Sequence, residues 1–424
     1  METFSEVVST VNNFIWGPWL LVLLVGTGIF LTFRLGFLQF RQLGYALKLA
    51  FSPAQQDRTS EGDISHFAAL MTALAATIGT GNIVGVATAF VVGGPGAIFW
   101  MWMTALFGMA TKYSEAVLSI KYRVTDKNGE MAGGPMFYIE KGLGWKWLAV
   151  LFAFFGSVAA FGIGNLVQVN SVAGNMSSTF GVNPVITGIV LMVFTAIVIL
   201  GGVQSIGRWS SVIVPLMAVF YILGGLYIVF AHLDLIGPAF AVIFTSAFSA
   251  KAGFGALLGT TIRYGVARGL FSNEAGMGSA PIAAAAAKTD HPCRQGLVSM
   301  TGTFLDTIVV CSITGLSLVM ASLSGFTTPA PDPASLTSQS FQFFIPFGSI
   351  VVTIALLFFA YSTVLGWAYY GEKCFYYLVG QKGIIPYRIF FCALVFVGAV
   401  LKLDLVWSIA DTFNAAMCVP NLIA

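Results

Sequence analysis

Residues 64–93 read ISHFAALMTALAATIGTGNIVGVATAFVVG. The run is apolar and long enough to cross a bilayer, for which about 20 residues at about 1.5 Å each suffice. Its middle, Thr77-Ile78-Gly79-Thr80-Gly81-Asn82, gathers weak helix formers at one place. Inside a membrane, unwound backbone is tolerated only where protein, water or a ligand takes up the freed N–H and C=O groups. The stretch therefore predicts two half-helices meeting near the bilayer midplane; the competing explanation is close packing of helices through small residues. The half-helix that starts near Asn82 would turn N–H groups and a positive dipole end toward an anion such as a carboxylate. The end of the first half, residues 76–78, would offer carbonyls to a cation.

Composition widens this to the whole chain. Of 424 residues, 57% are hydrophobic and 9% charged, against roughly 25% charged in soluble domains. The fold class is an all-α polytopic membrane protein, with the lipid bilayer as its surroundings. A net charge of +3 gives no case for a nucleic-acid partner. The five cysteines and three histidines are scattered, with no CxxC or Cys/His cluster, so neither a disulfide framework nor a zinc site is expected. Residues 1–13 are polar and acidic, which argues against a removable signal peptide.

Eleven spans are expected, at about 14–33, 64–93, 97–120, 148–176, 184–202, 209–231, from about 253, 296–322, 342–370, 386–402 and 404–424. Trp16 and Trp19 flank span 1 as interfacial anchors. The basic and apolar segment after it suits an amphipathic helix on the cytoplasmic surface. Residues 132–147 read as a cytoplasmic loop or short surface helix, 232–250 as a partial helix too broken to cross, and the Pro/Ser/Thr-rich 324–340 as a loop. With eleven spans, most Lys and Arg, among them Lys112, Arg123, Lys288 and Lys373, fall on one side, and Lys251 and Lys402 on the other. This bias places the N-terminus outside and the C-terminus inside. The last span ends in an apolar pattern at Ala424, so the C-terminus is expected to be truncated if span 11 does not end there.

Span 7 has its own interruption. A helix-like GFGALLGTTIRYGVA is followed by RGLFSNEAGMGSAP at 268–281, and then PIAAAAAK resumes as a strong helix former with Pro281 at its start. Arg263, Arg268 and Glu274 lie in or beside this span, and intramembrane charges are usually functional or paired. Glu274 could equally partner Arg268 or a backbone N–H. Span 2 enters from inside and span 7 from outside, each opening a set of five. Two Gly-interrupted helices at matching places in inverted halves point to the binding site of a secondary transporter. The organisation is 1–63 as an extra N-terminal span and amphipathic segment, 64–231 as the first repeat, 232–252 as an extracellular partial helix, and 253–424 as the second repeat. No filter sequence repeated around an axis speaks for a channel. No nucleophile–base pair, metal cluster or phosphate loop speaks for an enzyme.

TALAATIGTGNIVGVATAF, GGPGAIFWMWMTALFGMATKYSEAVL, GGPMFYIEKGLG and GLFSNEAGMGSAPIAAAAA together resemble the alanine or glycine:cation symporter family, from Trp16 to the C-terminus. The resemblance implies a LeuT-type inverted repeat on spans 2–6 and 7–11, and uptake of alanine or glycine coupled to Na⁺, or to H⁺ in some members. It implies a monomer in the cytoplasmic membrane and no organic cofactor.

A zwitterionic substrate needs an anion site, an ammonium site and a side-chain pocket. The carboxylate is assigned to Thr80, Gly81 and Asn82. The ammonium falls to carbonyls of the span 7 break around Phe271 to Gly276, or to Gln168, beside which Gly164 leaves room. Interhelical hydrogen bonding is the alternative for Gln168. Phe271, Met277 and Trp367 would limit the pocket to a small side chain, at about 1–3 kcal/mol per methylene. Ser362 and Thr363 sit in the register of the cation-binding pair of the LeuT-type fold. With carbonyls of Ala360, Ala76 and Gly79, give or take one residue, they form the expected Na⁺ cage. Glu274 and Asp306 are the candidates for a second ion or a proton, or else structural partners. The readings that stay open beside Na⁺ symport are an H⁺-coupled carrier or exchanger for another small neutral amino acid, and a channel or a sensor that binds without transport.

Overall fold

The structure, a computed structural model, describes residues 2–57, 59–249, 259–327, 333–401 and 404–424. Arg58, Lys251, Lys402, the opening of span 7 at 253–258 and part of the Pro-rich loop lie outside the described residues. The described chain is helical apart from one two-residue hairpin, Val124–Thr125 against Met131–Ala132. Six of its helices are long and apolar enough to cross a membrane, seven if the bent pair of span 2 is counted as one. The other expected spans are helical in place. Pro184–Ile199 is short, Gly96–Tyr122 carries buried Lys112 and Glu115, Thr260–Asn273 precedes the second break, and Asp404–Ile423 carries Asp411 and Asn414.

Span 2 folds as its composition dictates. Ser65 caps the first half, its hydroxyl accepting from the Ala68 N–H at 3.1 Å. The helix His66–Thr77 stops at Ile78, which is extended (φ −75°, ψ 92°). A wide helical turn, Gly81–Gly85, leads into Val86–Gly93, and the two halves meet at 53°. The Asn82 side chain holds the bend together, its Oδ1 accepting from the Gly79 N–H at 2.9 Å. Span 7 breaks differently. Thr260–Asn273 ends where Glu274 takes a left-handed conformation (φ 55°), and Gly276 and Gly278 follow at φ 85° and 80°. Glycine meets that demand without strain, whereas Glu274 meets it against the usual preference of a long side chain.

Several expectations are corrected. The run PIAAAAAK does not resume as a long helix, because Ala280–Ala284 is only five residues. Beyond it the backbone is engaged elsewhere: the Ala286 carbonyl accepts from the Asp63 N–H (2.8 Å) and the Ile64 N–H (3.1 Å), and the Lys288 N–H donates to the Ile64 carbonyl (2.7 Å). Arg123 locks this join by donating to the Ala285 and Ala287 carbonyls. Trp16 is no interfacial anchor; it is buried and donates to the Asp411 carbonyl, while Trp19 is exposed. The 324–340 loop contains the start of a helix, Pro333–Phe344, so that span 9 begins at Gly348. Lys112, read as a charge on the loop side of the membrane, lies buried within its helix.

The 124–143 segment packs under the helices. Lys373 meets Glu130 at 3.0 Å and Asp126 at 3.6 Å, with Lys373 and Asp126 almost wholly enclosed. Arg388 holds Glu372 through two hydrogen bonds of 2.6 and 2.8 Å. The Tyr377 hydroxyl donates to Glu140 at 2.6 Å. The Lys373 and Tyr377 contacts tie span 9 to this segment, and Arg388 ties span 10 to span 9.

Candidate functional site

Between the two breaks lies a small cavity of about 20 Å³. Ala76, Gly79, Thr80 and Gly81 of span 2 form one wall, Phe271 and Glu274 of span 7 a second, and Thr363 and Trp367 of span 9 a third, with Gln168 alongside. Thr363 and Trp367 share a helix face, being four residues apart. The Thr80 hydroxyl is buried without a hydrogen-bond partner among the described residues, which leaves it available at the head of the second half-helix. Gln168 crosses the cavity edge: its Oε1 accepts from the Thr80 N–H at 3.4 Å, and its Nε2 donates to the Ile163 carbonyl at 3.0 Å. Glu274 has its two oxygens engaged, Oε1 by the Trp367 indole N–H (3.0 Å) and Oε2 by the Ser279 hydroxyl (2.5 Å). A methyl at Gly164 would overlap the Trp367 side chain, so the room beside Gln168 is taken by that indole.

Beside this cavity, the Thr363 hydroxyl lies 3.4 Å from the Ile78 carbonyl and 3.0 Å from the Phe359 carbonyl, and the Ser362 hydroxyl 2.9 Å from that same Phe359 carbonyl. The carbonyls that gather here are thus Ile78 and Phe359, one residue from the expected Gly79 and Ala360. They follow from the extended conformation at Ile78 and from the helical i−4 and i−3 geometry of span 9.

Some expected members sit elsewhere. The Asn82 amide does not face the cavity; it donates to Asp306 Oδ1 at 2.7 Å. The other Asp306 oxygen accepts from the Ser272 hydroxyl (2.9 Å) and the Thr307 hydroxyl (2.7 Å). Asn82, Ser272 and Asp306 therefore make a second buried oxygen-rich cluster. Gly276 and Met277 do not line the cavity. Gly276 packs toward Leu24 and Leu422, and Met277 is enclosed in the core. Ser362 does not line the cavity; its hydroxyl stays at the Phe359 carbonyl, with the Met217 sulfur 3.4 Å away.

Sequence reasoning missed Thr77, Ile163 and Asn414, which also line the cavity, as well as Ser272 and Lys112. A signal existed for Asn414: with Asp411 it places two polar groups three apart on one face of a largely apolar helix. The Asn414 Oδ1 is buried without a partner among the described residues.

Two adjoining cavities, of about 100 and 240 Å³, lie above Phe271. They share Asn12, Arg268, Phe271 and Asp411, and the larger also reaches Thr80. Phe271 lines all three cavities, with the Arg268 guanidinium 5.7 Å from its ring. On the opposite side the second break is tied down. Glu115 accepts from the Gly278 N–H (3.0 Å) and from the Asn421 amide (2.6 Å), Asn421 donates to the Gly276 carbonyl (2.8 Å), and the Tyr138 hydroxyl bonds Asn421.

Two discontinuous helices around a central cavity, in one helical membrane body, define a transporter of the LeuT type. The same fold is seen in the crystal structure of MhsT in complex with L-phenylalanine (TM-score 0.61, 16% identity, 85% of this chain and 89% of that one). It is seen again in the manganese transporter of Eremococcus coleocola (TM-score 0.55, 12% identity, 82% and 74%). The profile of the sodium:alanine symporter family matches residues 1–424, and the chain belongs to that family. It is 68% identical to the sodium/alanine symporter AgcS of Methanococcus maripaludis, over 99% of this chain and 94% of that protein. It is 38% identical to the probable sodium/glutamine symporter GlnT of Bacillus subtilis (100% and 88%), and 36% identical to the putative sodium/proton-dependent alanine carrier YrbD of the same organism (99% and 89%). The chain is thus a Na⁺-coupled secondary transporter and not an enzyme.

Proposed function

We propose that the chain imports alanine or glycine with Na⁺ by alternating access across the cytoplasmic membrane. It would act as a monomer of eleven spans in two inverted repeats, with its N-terminus outside and its C-terminus inside. The observation that carries the reading is the narrow cavity between the breaks, where an unpartnered Thr80 hydroxyl at a half-helix start faces Glu274, Thr363 and Trp367. The substrate carboxylate would take Thr80 and the Gly81 N–H. Its ammonium would take Gln168 Oε1, the Asn414 amide oxygen and Glu274. Its side chain would sit against Phe271 and Trp367. The 68% identity to a protein named for alanine supports the smaller substrate.

Na⁺ would sit among the Thr363 and Ser362 hydroxyls and the carbonyls of Ile78 and Phe359, an all-oxygen set that needs no carboxylate. Because Ile78 belongs to the break, an ion there orders span 2, and the Thr363 wall it shares with the cavity couples ion to substrate. Na⁺ drives the cycle only by binding the outward and inward states differently. The Asn82–Ser272–Asp306 cluster and Glu274 are the second-ion or proton sites.

The test is alanine uptake into proteoliposomes under an inward Na⁺ gradient, and again with K⁺ in its place. Concentrative uptake is expected with Na⁺ alone. Thr363→Ser should keep the Na⁺ activation curve within a few-fold, and Thr363→Ala should move it at least tenfold, about 1.4 kcal/mol. An unmoved curve in Thr363→Ala refutes the cage, and equal uptake in both salts refutes Na⁺ coupling.

A further inference from the structure

Span 7 lies directly on span 3. A methyl on Gly265 would stand 2.7 Å from the Trp100 Cβ, and one on Gly269 would overlap the Thr104 side chain. Span 1, Pro18–Arg34, meets span 3 just as closely further along, where a methyl on Gly28 would stand 3.1 Å from the Phe107 Cβ. Between the three helices a groove of about 340 Å³ is left open, within the ~300–1,000 Å³ of ligand pockets. Leu21, Val25 and Ile29 line it from span 1, Met103 and Phe107 from span 3, and Val266 from span 7. Gly26 faces it as well, and a methyl there would meet nothing within 4 Å. Val22, on its rim, is 61% exposed, so the groove opens on the face that meets the bilayer.

The one charge in this lining is Arg263. Its guanidinium makes no ion pair and no hydrogen bond among the described residues. Arg263 lies one turn into Thr260–Asn273, as Trp100 lies one turn into Gly96–Tyr122 and Leu21 one turn into Pro18–Arg34. The cation therefore stands at the end where the three helices start, at interfacial depth. From there the groove follows span 1 to Ile29 and span 3 to Phe107, about 10–12 Å at about 1.5 Å per residue. The hydrocarbon of one leaflet is about 15 Å deep, half of a core of about 30 Å.

An apolar slot of that depth with a free cation at its interfacial end matches one acyl chain with a phosphate above it. A helix of a second protein, about 10–12 Å across with its side chains, is too wide to enter and would cover the guanidinium without pairing it. A guanidinium takes phosphate oxygens two at a time. A zwitterionic headgroup brings its own ammonium to Arg263, whereas a headgroup with one net negative charge neutralises it.

We propose that this groove is a phospholipid site. It holds one acyl chain of an anionic phospholipid whose phosphate rests on Arg263, and the lipid braces Thr260–Asn273 against spans 1 and 3. That half-helix carries Phe271 to the central cavity and ends at Glu274. Lipid binding here is independent of which substrate and ion are carried, and it is read without transport.

The experiment titrates the full chain, delipidated in a neutral detergent, with phosphatidylglycerol, phosphatidylcholine or glycerol phosphate. Bound lipid is counted by native mass spectrometry, and thermal melting is followed alongside. The parent should retain one phosphatidylglycerol and melt several degrees higher with it, at concentrations at least tenfold below those at which phosphatidylcholine acts. Glycerol phosphate, which has no tail, should do nothing. Arg263→Gln should bind the two lipids equally, because the slot stays and the charge is gone. Gly26→Phe fills the slot from open space and replaces a poor helix former, so it should fold as the parent does without lipid and lose the saturable response to both lipids. Equal action of the two lipids on the parent overturns the proposal, and so does a phosphatidylglycerol preference that survives in Arg263→Gln. A saturable response kept in Gly26→Phe, or an equal response to glycerol phosphate, overturns the acyl-chain slot. If Gly26→Phe does not fold, the Arg263→Gln and glycerol phosphate arms decide.

Discussion

A methyl group at position 164 should separate alanine from glycine. Gly164 lies in the wide turn of span 4, and a Cβ there would stand 2.9 Å from Trp367 Cδ2 and closer still to Trp367 Cβ and Cγ. The indole cannot absorb this freely. It is buried, packs edge-on against Tyr370 at 5.6 Å, and holds Glu274 through its N–H at 3.0 Å. Overpacking of this kind costs about 1–3 kcal/mol. If the ring yields, the bond to the Glu274 carboxylate goes with it, and a hydrogen bond to a charged group contributes about 1.5–3 kcal/mol. The ring can move only away from span 4, toward the cavity, where it meets the side chain of the bound amino acid before its backbone. Gly164→Ala should therefore weaken alanine binding about tenfold or more and glycine binding distinctly less. The assay is inhibition of labelled alanine uptake by unlabelled alanine and glycine, with thermal melting of the detergent-solubilised protein alongside. A preference unchanged within twofold, with an unchanged melting temperature, would refute the placement of Trp367 against the substrate.

Asp306→Asn keeps the volume and leaves the Ser272 and Thr307 hydroxyls free to turn as acceptors, so folding should survive. Removal of the charge should raise the Na⁺ concentration for half-maximal uptake at least tenfold, about 1.4 kcal/mol, and an unmoved value removes the second ion from this cluster. Lys373→Met strands Asp126, enclosed at 1% side-chain exposure. Breaking a buried pair costs about 3–5 kcal/mol, so the melting temperature should fall by many degrees, and a fall of only a degree or two would show that Asp126 finds another partner. Burial raises the Asp63 carboxyl above its usual range, only partly opposed by the Met131 N–H that donates to it. The native state therefore holds that proton more tightly than the unfolded chain, and stability falls as pH climbs from about 4 through the raised value. Asp63→Asn, which keeps an acceptor for Met131, should flatten that stretch of the stability–pH curve, and an identical curve would show that another group governs it.

Much of this site is readable along the chain because it rests on local chemistry. Gly79, Thr80 and Gly81 lower helix propensity inside an apolar run, and Gly276 and Gly278 permit positive φ, so both breaks announce themselves. Thr363 and Trp367 fall on one face by helical spacing alone. What is not readable depends on tertiary geometry. The choice of the Ile78 carbonyl over its neighbour is made by one ψ angle. Asn82 turns from the cavity because Asp306, far away in sequence, offers a charged acceptor. The alanine run after Pro281 has strong helix propensity, yet its carbonyls accept from Asp63, Ile64 and Arg123, and tertiary pairing overrides propensity. Lys112 drops out of the positive-inside count for the same reason, since a charge counted as loop-side is enclosed between helices.

The two sides of the cavity are held by different kinds of contact, and this bears on how such a molecule alternates. Above it, two open cavities descend to Phe271 and Thr80, and the barrier is one aromatic ring with a guanidinium nearby. Below it, closure is spread over the Glu115–Asn421–Tyr138 network, the join of residues 63–64 to 286–288, and the ion pairs of Lys373 and Arg388. A ring turns about its rotamers at little cost, whereas a buried network opens only when all its members find new partners or water. Opening on the lower side therefore needs a larger driving free energy than closing on the upper side, and ligands bound between the breaks are a source of that energy. Both breaks supply parts of the cavity and also anchor the lower seal: Gly79–Gly81 through span 2, and Gly276–Gly278 through Glu115 and Asn421. A ligand that draws Glu274 or Thr80 toward itself pulls on the same short backbone segments that keep the lower side shut.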